Sequence, residues 1–281
     1  MRTFIGYYLL LLNILCCTPS LIAYEHDLAV CAIFQNEARF LKEWIEFYKL
    51  IGVQKFYLYD HKSTDNYKEV LDPYIKSGES AYNDCLKKVR GKVKWLAVLD
   101  IDEFLFPTQH DNLLMALKNY ESYAGVCVSW LQFGTSNVDK VPDNKLMIES
   151  LTMRATSIDY RVKSIVQPDR IIKLGNHKPL KIVEGYSMVY VDKTPLNIDL
   201  ENHYSLEDYF IKSISIFRIN HYWTRDKEFL YNVKIPRIEK NYFWIKKEKK
   251  AWVLKMAVFM NAQRDLAIQR FVKPLKQAMA I

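Results

Sequence analysis

Three carboxylates follow an apolar run near the middle of the sequence. Asp100, Asp102 and Glu103 come directly after residues 95–99, which read as a buried strand. Clustered acids at such a position are unfavourable unless a cation neutralises them. Ligands of open α/β sheets bind beyond the carboxyl ends of strands, and carboxylate oxygens suit Mg²⁺ or Mn²⁺, which also contact substrate phosphates. We therefore predict a divalent metal at this strand end, with ordinary surface acids as the alternative.

The elements before these acids alternate between strands and helices. Residues 28–34 form a continuous apolar run, which is typical of a strand buried on both faces. Apolar residues then recur at helical spacing as far as Gly52, which ends the helix. The predicted order is a strand at 28–34, a helix at 40–50, a strand at 53–59, a polar loop at 60–66 and a helix at 67–75. This order predicts an α/β fold with a mostly parallel central sheet.

The alternation then breaks, because only residues 77–80 separate the helix that ends at 75 from the next helix. One strand expected after Gly78 is therefore missing. The later predictions are a helix at 81–88, strands at 93–99, 125–131 and 214–222, a helix at 113–120, short strands and loops after 142, and a long basic helix at 243–271. The apolar residues of this last helix favour packing on a core over lying on a membrane surface.

Composition and charge limit the possible functions. The chain has 281 residues, half of them hydrophobic, which suffices for one large or two small globular domains. The net charge of +8 favours acidic partners such as nucleotide phosphates or anionic lipid, or reflects a basic surface without a specific partner. No Arg-rich stripe is present, so we predict no nucleic-acid binding. Cys31, Cys85 and Cys127 lie in predicted elements without metal-ligand spacing and are expected to be buried free thiols.

The first 24 residues are set apart from the rest of the chain. Arg2 precedes an apolar stretch, and Ala23 is a small residue suited to a signal-peptide cleavage site. Residues 4–24 are also about as many as a membrane span needs. A signal peptide and a signal anchor are therefore both expected alternatives for 1–24, followed by one domain at 25–281. Either one predicts export or membrane anchoring through the apolar segment.

Several motifs occur together in one order. They are IFQNE (33–37), WIEF (44–47), GV (52–53), FYLYD (56–60), STDN (63–66), AYNDCL (81–86), KWLA (94–97), DIDEFLFP (100–107), WLQFG (130–134) and INHYWTR (219–225). As a set they resemble glycosyltransferase family 92, also called DUF23, which is related to the family 2 glycosyltransferases. The resemblance implies a GT-A-like fold and inverting transfer of a sugar, typically from UDP-galactose, to a glycan acceptor, usually with Mn²⁺ or with Mg²⁺ in its place.

The same resemblance assigns roles to residues. Asp100 and Asp102 match the Asp-x-Asp motif that holds metal and diphosphate, and His221 matches a late histidine that completes this site. The residues that match nucleotide-binding loops are Asn36, Glu37, Asp60 and Asp65. From the chemistry of the leaving group, Lys163 and Arg225 are further candidates, because cations near a departing diphosphate stabilise its charge. Inversion needs a carboxylate base, for which Glu103 is a candidate, although it can equally hold the loop.

Each assignment has a structural alternative. Asn36 and Glu37 can cap a helix, Asp60 and Asp65 can cap the helix that follows them, and His221 can be structural. Lys163 and Arg225 can be solvated charges. For the whole protein, the missing segment at 77–83 makes an impaired nucleotide- or glycan-binding relative the alternative to an active transferase. A metal-dependent phosphoesterase is disfavoured, since no histidine lies between residues 62 and 109.

Overall fold

The computed structural model describes residues 23–72, 74, 82–196 and 214–281, with the backbone alone for Phe243. The strands are β1 (His26–Phe34), β2 (Lys55–Asp60), β3 (Val93–Val98), β4 (Glu103–Pro107), β5 (Gly125–Gln132), β6 (Met153–Arg154), β7 (Asp159–Val166), β8 (Ile171–Leu174), β9 (Pro179–Ile182), β10 (Met188–Tyr190), β11 (Phe217–His221) and β12 (Gln263–Arg264).

The helices are α1 (Ala38–Leu50), α2 (Tyr67–Leu71), α3 (Tyr82–Val89), α4 (Leu113–Leu117), α5 (Met147–Ser150), α6 (Lys227–Phe229), α7 (Ile235–Asn241), α8 (Lys246–Phe259) and α9 (Val272–Met279). A π-helical turn, Leu230–Lys234, joins α6 to α7. Short 3₁₀ turns are Lys118–Tyr120, Pro168–Arg170, Phe243–Ile245 and Ala267–Phe271.

One central sheet organises the described part of the chain. Its strands lie in the order β2, β1, β3, β7, β5, β11, β4, and β10 also pairs with β5. The pairs β1–β2, β1–β3, β5–β10 and β5–β11 are parallel, and those of β7 with β3 and β5 and of β4 with β11 are antiparallel. The predicted α/β fold with a mostly parallel sheet is thereby confirmed.

Strand β1 is buried on both faces, as its apolar run predicts. Leu28 and Val30 pack into a large core cluster on one side of the sheet. Ala29 and Cys31 alternate with them and pack into a second cluster on the other side. Cys85 and Cys127 lie in that second cluster, and all three described cysteines are buried free thiols, as expected.

Strand β4 was not predicted from the sequence. Glu103–Pro107 is short and directly follows the acids, so no periodic pattern separates it from the preceding loop. Its partner β11 lies more than a hundred residues further along the chain and pairs with it antiparallel. This pairing depends on the tertiary structure and not on a local pattern. It folds residues 100–103, with their acids, back towards the sheet.

The prediction of one helix over 243–271 is wrong. Helix α8 ends at Phe259, and just beyond it the side chain of Asn261 accepts a hydrogen bond from the Ser136 backbone N–H (2.7 Å). The apolar residues before and after this break pack into different hydrophobic clusters. Val253 lies in a small cluster beneath α7 and α8, whereas Phe271 packs into the main core.

Some predictions fall on residues outside this description. The signal peptide or anchor at 1–24 lies there except for its last two residues, as do Pro73 and residues 75–81, where the missing strand was expected. Among the described residues, β2 is the last strand at its end of the sheet. No helix within the described ranges is long and apolar enough to span a membrane.

The buried carboxyl group of Glu43 on α1 is expected to make the free energy of unfolding depend on pH. Its carboxylate accepts hydrogen bonds from the backbone N–H groups of Met147 (2.7 Å) and Ile148 (3.0 Å), which begin α5. Burial raises the pKa of Glu43 to about 7, from 4.5. Since the folded protein holds this proton more tightly, the stabilisation is complete below about pH 4.5 and is lost as the pH rises through 7.

We expect urea unfolding to show a loss on the order of 3 kcal/mol from this group between pH 4.5 and 7. Glu43→Gln, whatever its absolute stability, is expected to flatten that slope. Glu184→Gln, a change at an exposed residue, is the matched control. An unchanged slope in Glu43→Gln would contradict the prediction.

Candidate active site

The loop between β3 and β4 carries Asp100 and Asp102, Glu103 begins β4, and helix α1 holds this end of the loop in place. Trp44 Nε1 and Tyr48 Oη both donate hydrogen bonds to the backbone carbonyl of Glu103, each at 3.0 Å. These two rings are one helical turn apart and therefore lie on the same face of α1. Tyr48 Oη also accepts from the N–H of Leu105 (2.8 Å), so the start of β4 is tied to the helix at two points.

The register between β4 and β11 brings His221 to these acids. His221 lies opposite Glu103 in the antiparallel pair, and the N–H of Tyr222 donates to the backbone carbonyl of Asp102 (2.8 Å). His221 Nε2 is 3.5 Å from Asp102 Oδ1. The role of His221 was predicted from the family resemblance alone, because the strand register that positions it is set by the pairing of β4 with β11.

Lys163 is buried beneath the acid loop and is not a solvated charge. Its Nζ lies 2.9 Å from Asp100 Oδ2 and 3.7 Å from Glu103 Oε1. Burial lowers the affinity of this amine for its proton, but the facing Glu103 and Asp100 carboxylates outweigh burial and raise the pKa of Lys163. The ammonium group therefore acts as a fixed internal counterion, which strand β7 supplies.

Glu103 is fully buried and holds the loop. Its Oε2 accepts a hydrogen bond from the Asp100 N–H (2.9 Å). Burial raises the pKa of Glu103 well above its usual range, although Lys163 opposes this shift. A base for an acceptor hydroxyl must reach that hydroxyl. The geometry thus favours the structural alternative for Glu103 over the role of catalytic base.

Asp102 faces two basic side chains. His221 lies on one side of its carboxylate, and Lys234 Nζ, from the π-helical turn, lies 3.7 Å from Oδ2 on the other. Burial alone would raise the pKa of Asp102, but His221 and Lys234, with Arg225 further away, hold it well below its usual range. Asp102 is therefore ionised at neutral pH.

The residues around Asp102 fit a divalent cation. Asp102, Glu103 and His221 each offer a ligand atom, and these atoms lie within 4.8 Å of one another. Glu103 Oε1 and His221 Nδ1 are buried and have no hydrogen-bond partner, as expected of atoms meant for another ligand. Oxygen ligands with one imidazole suit Mn²⁺ or Mg²⁺. The predicted ligand Asp100 is outside this group and pairs with Lys163 instead.

Arg225 is fully buried, so it is not a solvated charge and is not free to bind a phosphate. Its Nη2 is 2.9 Å from Glu37 Oε2, and its guanidinium stacks on Phe40 at 4.3 Å from the ring centroid. The Arg225 backbone has a φ of +55°, a region that non-glycine residues seldom adopt. Burial raises the pKa of Glu37, and Arg225 opposes that shift. The pair therefore joins the start of α1 to the segment after β11.

The other predicted nucleotide residues hold loops together. Asp65 Oδ2 accepts from the Ala38 N–H (2.8 Å) and so caps α1, not the helix that follows it. Asn36, at a φ of +53°, accepts through Oδ1 from the Thr64 N–H (2.7 Å). Asp60 accepts from the Ser63 N–H (2.8 Å) and from Tyr67 Oη (3.1 Å). Asn36 and Asp65 line a hollow beside the acid cleft, whereas Asp60 lies at a separate one along β2.

A cleft of about 360 Å³ lies above the acid loop. Asp100, with a side chain 35 % exposed, opens into it, and Asp102 lines it as well. The remaining polar lining residues are Gln35, Glu37, His61, Tyr82, Asn176, Lys234 and Arg237. The cleft thus has two carboxylates on its floor and two cationic side chains on the helical wall, which suits a diphosphate held with a cation.

The comparison with known families agrees with this arrangement. The model of glycosyltransferase family 92 matches residues 26–80 and 77–246, which together make up well over half of the chain. The chain belongs to glycosyltransferase family 92. Its mixed α/β structure is the GT-A-like fold that the family resemblance implies, with the Asp-x-Asp motif at the carboxyl end of β3.

Curated family 92 proteins from plants are similar to this chain. A protein of rice (Oryza sativa subsp. japonica) is 32 % identical over 203 residues, and one of Ricinus communis is 30 % identical over 204 residues. One of Arabidopsis thaliana is 27 % identical over 210 residues. Each match covers 65 % of this chain but only 34–36 % of the relative. The chain therefore spans about a third of the length of the family 92 relatives that it matches.

Sequence reasoning missed Lys234 and Arg237 on the helical wall of this cleft in the family 92 chain. Arg237 Nη2 donates to the carbonyl of Gln35 (2.6 Å), and its Nη1 lies 3.9 Å from Glu37 Oε1. Both residues belong to a stretch with many charges and no clear periodicity. One signal was available, since Lys234 and Arg237 are three residues apart and hence neighbours on a helix.

Proposed function

We propose that this family 92 protein transfers a sugar from a nucleotide diphosphate donor to a glycan acceptor, with a divalent cation at the Asp102 site. The observation that carries the proposal is the cleft that joins the Asp100–Asp102 carboxylates to Lys234 and Arg237. Family membership supports the reaction class. By the same resemblance, UDP-galactose is the donor to test first, with inversion at the transferred carbon.

The residues of the cleft suit a leaving diphosphate. Cleavage of the sugar–phosphate bond concentrates negative charge on that group, and fixed positive charges stabilise it most at the transition state. When bound, Mn²⁺ or Mg²⁺ would neutralise part of this charge. Asp102, His221 and Glu103 are the residues that would hold the ion. Lys234 and Arg237 would contact the phosphate oxygens from the helical wall.

Lys163 has a different role in this proposal. Its ammonium group is fully buried and contacts Asp100 and Asn176 rather than the open cleft. It therefore positions the Asp100 carboxylate, whose exposed oxygen faces the donor. Lys163 thereby neutralises part of the charge on Asp100 and fixes the direction in which this carboxylate points.

The test of the proposal is UDP release from UDP-galactose with and without Mn²⁺, together with calorimetric titration of UDP. Metal-dependent release with UDP binding supports a transferase. Tight UDP binding without release supports the impaired relative instead. Absence of UDP binding with and without Mn²⁺ would overturn the proposed function.

Lys234→Met is expected to weaken UDP binding by about ten- to a hundredfold, because one charge-assisted hydrogen bond is worth about 1.5–3 kcal/mol. Calorimetric titration in the presence of Mn²⁺ measures this change. Lys227→Met is the matched control, since Lys227 pairs with the exposed Asp139 at 2.8 Å and is outside the cleft lining. Equal UDP affinity of Lys234→Met and the wild type would remove Lys234 from the donor site.

A further inference from the structure

A row of aromatic side chains leads from the acid cleft to the surface of the helical segment. It comprises Trp223, Trp252, Tyr242 and Trp244, with Lys249 between two of the rings, and is called the aromatic track below. Trp223 is partly buried, whereas Trp252, Tyr242 and Trp244 are 46 %, 41 % and 65 % exposed. Contiguous exposed apolar patches on a protein surface often mark a binding site.

The inner end of the track touches the candidate active site. Lys234 Nζ lies 4.8 Å from the centroid of the Trp223 ring and 3.7 Å from Asp102 Oδ2. Trp223 also packs against the small apolar cluster of α7 and α8, which fixes its position. The track is therefore continuous with the cleft through a single lysine.

The rings of the track form two contacting pairs, and the two rings of each pair do not share a plane. The Trp223 and Trp252 centroids are 5.8 Å apart with ring planes at 75°, and those of Tyr242 and Trp244 are 6.1 Å apart at 65°. Lys249 joins the two pairs, with Nζ 5.7 Å from the Trp252 centroid and 4.8 Å from that of Tyr242. The track thus offers ring faces and edges in several directions, with a hydrogen-bond donor among them.

Such a surface suits a carbohydrate chain. The C–H faces of pyranose rings carry partial positive charge and stack on the negative face of an aromatic ring. Successive sugars of a chain turn relative to one another, as the rings of the track do, and their hydroxyls accept hydrogen bonds from an ammonium group. A membrane-binding helix instead presents one continuous apolar face above a basic border.

We propose that the aromatic track is the acceptor subsite, which binds an oligosaccharide and directs its end to the cleft at Lys234. This inference rests on the proposed function, since it names where the acceptor of that reaction binds. Trp252 and Trp244 are the stacking residues of the outer subsite. Trp223 is a positioning residue, because its ring contacts Lys234.

The test measures binding of the full chain to immobilised β-linked tetrasaccharides of glucose, galactose, xylose and N-acetylglucosamine by surface plasmon resonance. We expect at least one to bind and Trp252→Ala to weaken that binding about tenfold, the value of one stacked ring. Trp252→Phe keeps a ring and is expected to restore most of the affinity. Should Trp252→Ala fail to fold, Trp244→Ala replaces it.

Tyr186→Ala is the matched control, because Tyr186 is 41 % exposed and stacks on Arg170 away from the track. Binding of none of the four tetrasaccharides, or equal binding by Trp252→Ala and wild type, overturns the proposal. Tryptophan-dependent binding to phosphatidylserine vesicles without glycan binding overturns it in favour of a membrane surface.

UDP titration of the same samples separates this inference from the proposed function. We expect Trp252→Ala to bind UDP as the wild type does, because Trp252 is not part of the cleft lining. Glycan binding that depends on the track without any UDP binding supports the track and overturns the transferase. UDP binding without glycan binding overturns the track alone.

Discussion

Asp102→Asn is expected to lower metal-dependent UDP release from UDP-galactose by about a hundredfold or more, the usual effect of removing one group that stabilises transition-state charge. The substitution keeps the shape of the side chain but removes the anion between His221 and Lys234. His221 and Lys234 then face each other without the Asp102 carboxylate between them. A bound divalent cation would lose its Asp102 ligand. The measurement is initial rate at saturating donor over a series of Mn²⁺ concentrations.

The pattern over that series separates two causes of a lower rate. Loss of a ligand raises the Mn²⁺ concentration needed for half-maximal release, whereas a purely structural defect lowers the rate equally at all concentrations. Asp139→Asn is the matched control, because Asp139 is exposed and pairs only with the surface Lys227 in the described contacts. A rate for Asp102→Asn within about threefold of the wild type, at equal Mn²⁺ dependence, would remove Asp102 from the metal site.

Arg225→Met is expected to destabilise the protein by about 3 kcal/mol, because removing one partner of a buried ion pair leaves Glu37 with only the longer contact to Arg237, at 3.9 Å. The Arg225–Glu37 pair is buried and short, at 2.9 Å, and joins residues 188 positions apart. The change also removes the cation that stacks on Phe40. Urea unfolding followed by tryptophan fluorescence measures the loss.

A double-variant cycle identifies the source of that loss. Glu37→Gln combined with Arg225→Met removes both charges, so the double variant is expected to be more stable than Arg225→Met alone. Lys227→Met, which breaks the exposed pair with Asp139, should cost only about 0–1 kcal/mol. A loss below about 1 kcal/mol in Arg225→Met would show that this pair does not fasten the segment after β11.

The local patterns near the start of the chain predicted the elements there well. Strand β1 was evident from its unbroken apolar run, and α1 from the helical spacing that ends at Gly52. Both signals are local, because burial on one or two faces imposes a period on neighbouring residues. The same reasoning failed at 243–271, where one helical spacing continued across two separate cores.

The candidate site was only partly predictable, since most of its contacts join distant positions. Asp100 and Lys163 are 63 residues apart, and Glu37 and Arg225 are 188 apart. No local pattern distinguishes a lysine that will be buried as a counterion from one that will remain in solvent. Lys234 came to the site because the π-helical turn packs across the carboxyl end of the sheet.

The sequence by itself determined the first elements that precede the acids, the class of fold and the position of the carboxylates at the end of β3. Those properties follow from hydrophobic periodicity and from the cost of burying charge, which act along the chain. Only the tertiary structure decided which cations face the acids, that Glu103 is buried, and that the register of β4 and β11 brings His221 to Asp102. Register and ion pairing depend on how distant segments pack, and that information is distributed over the whole chain.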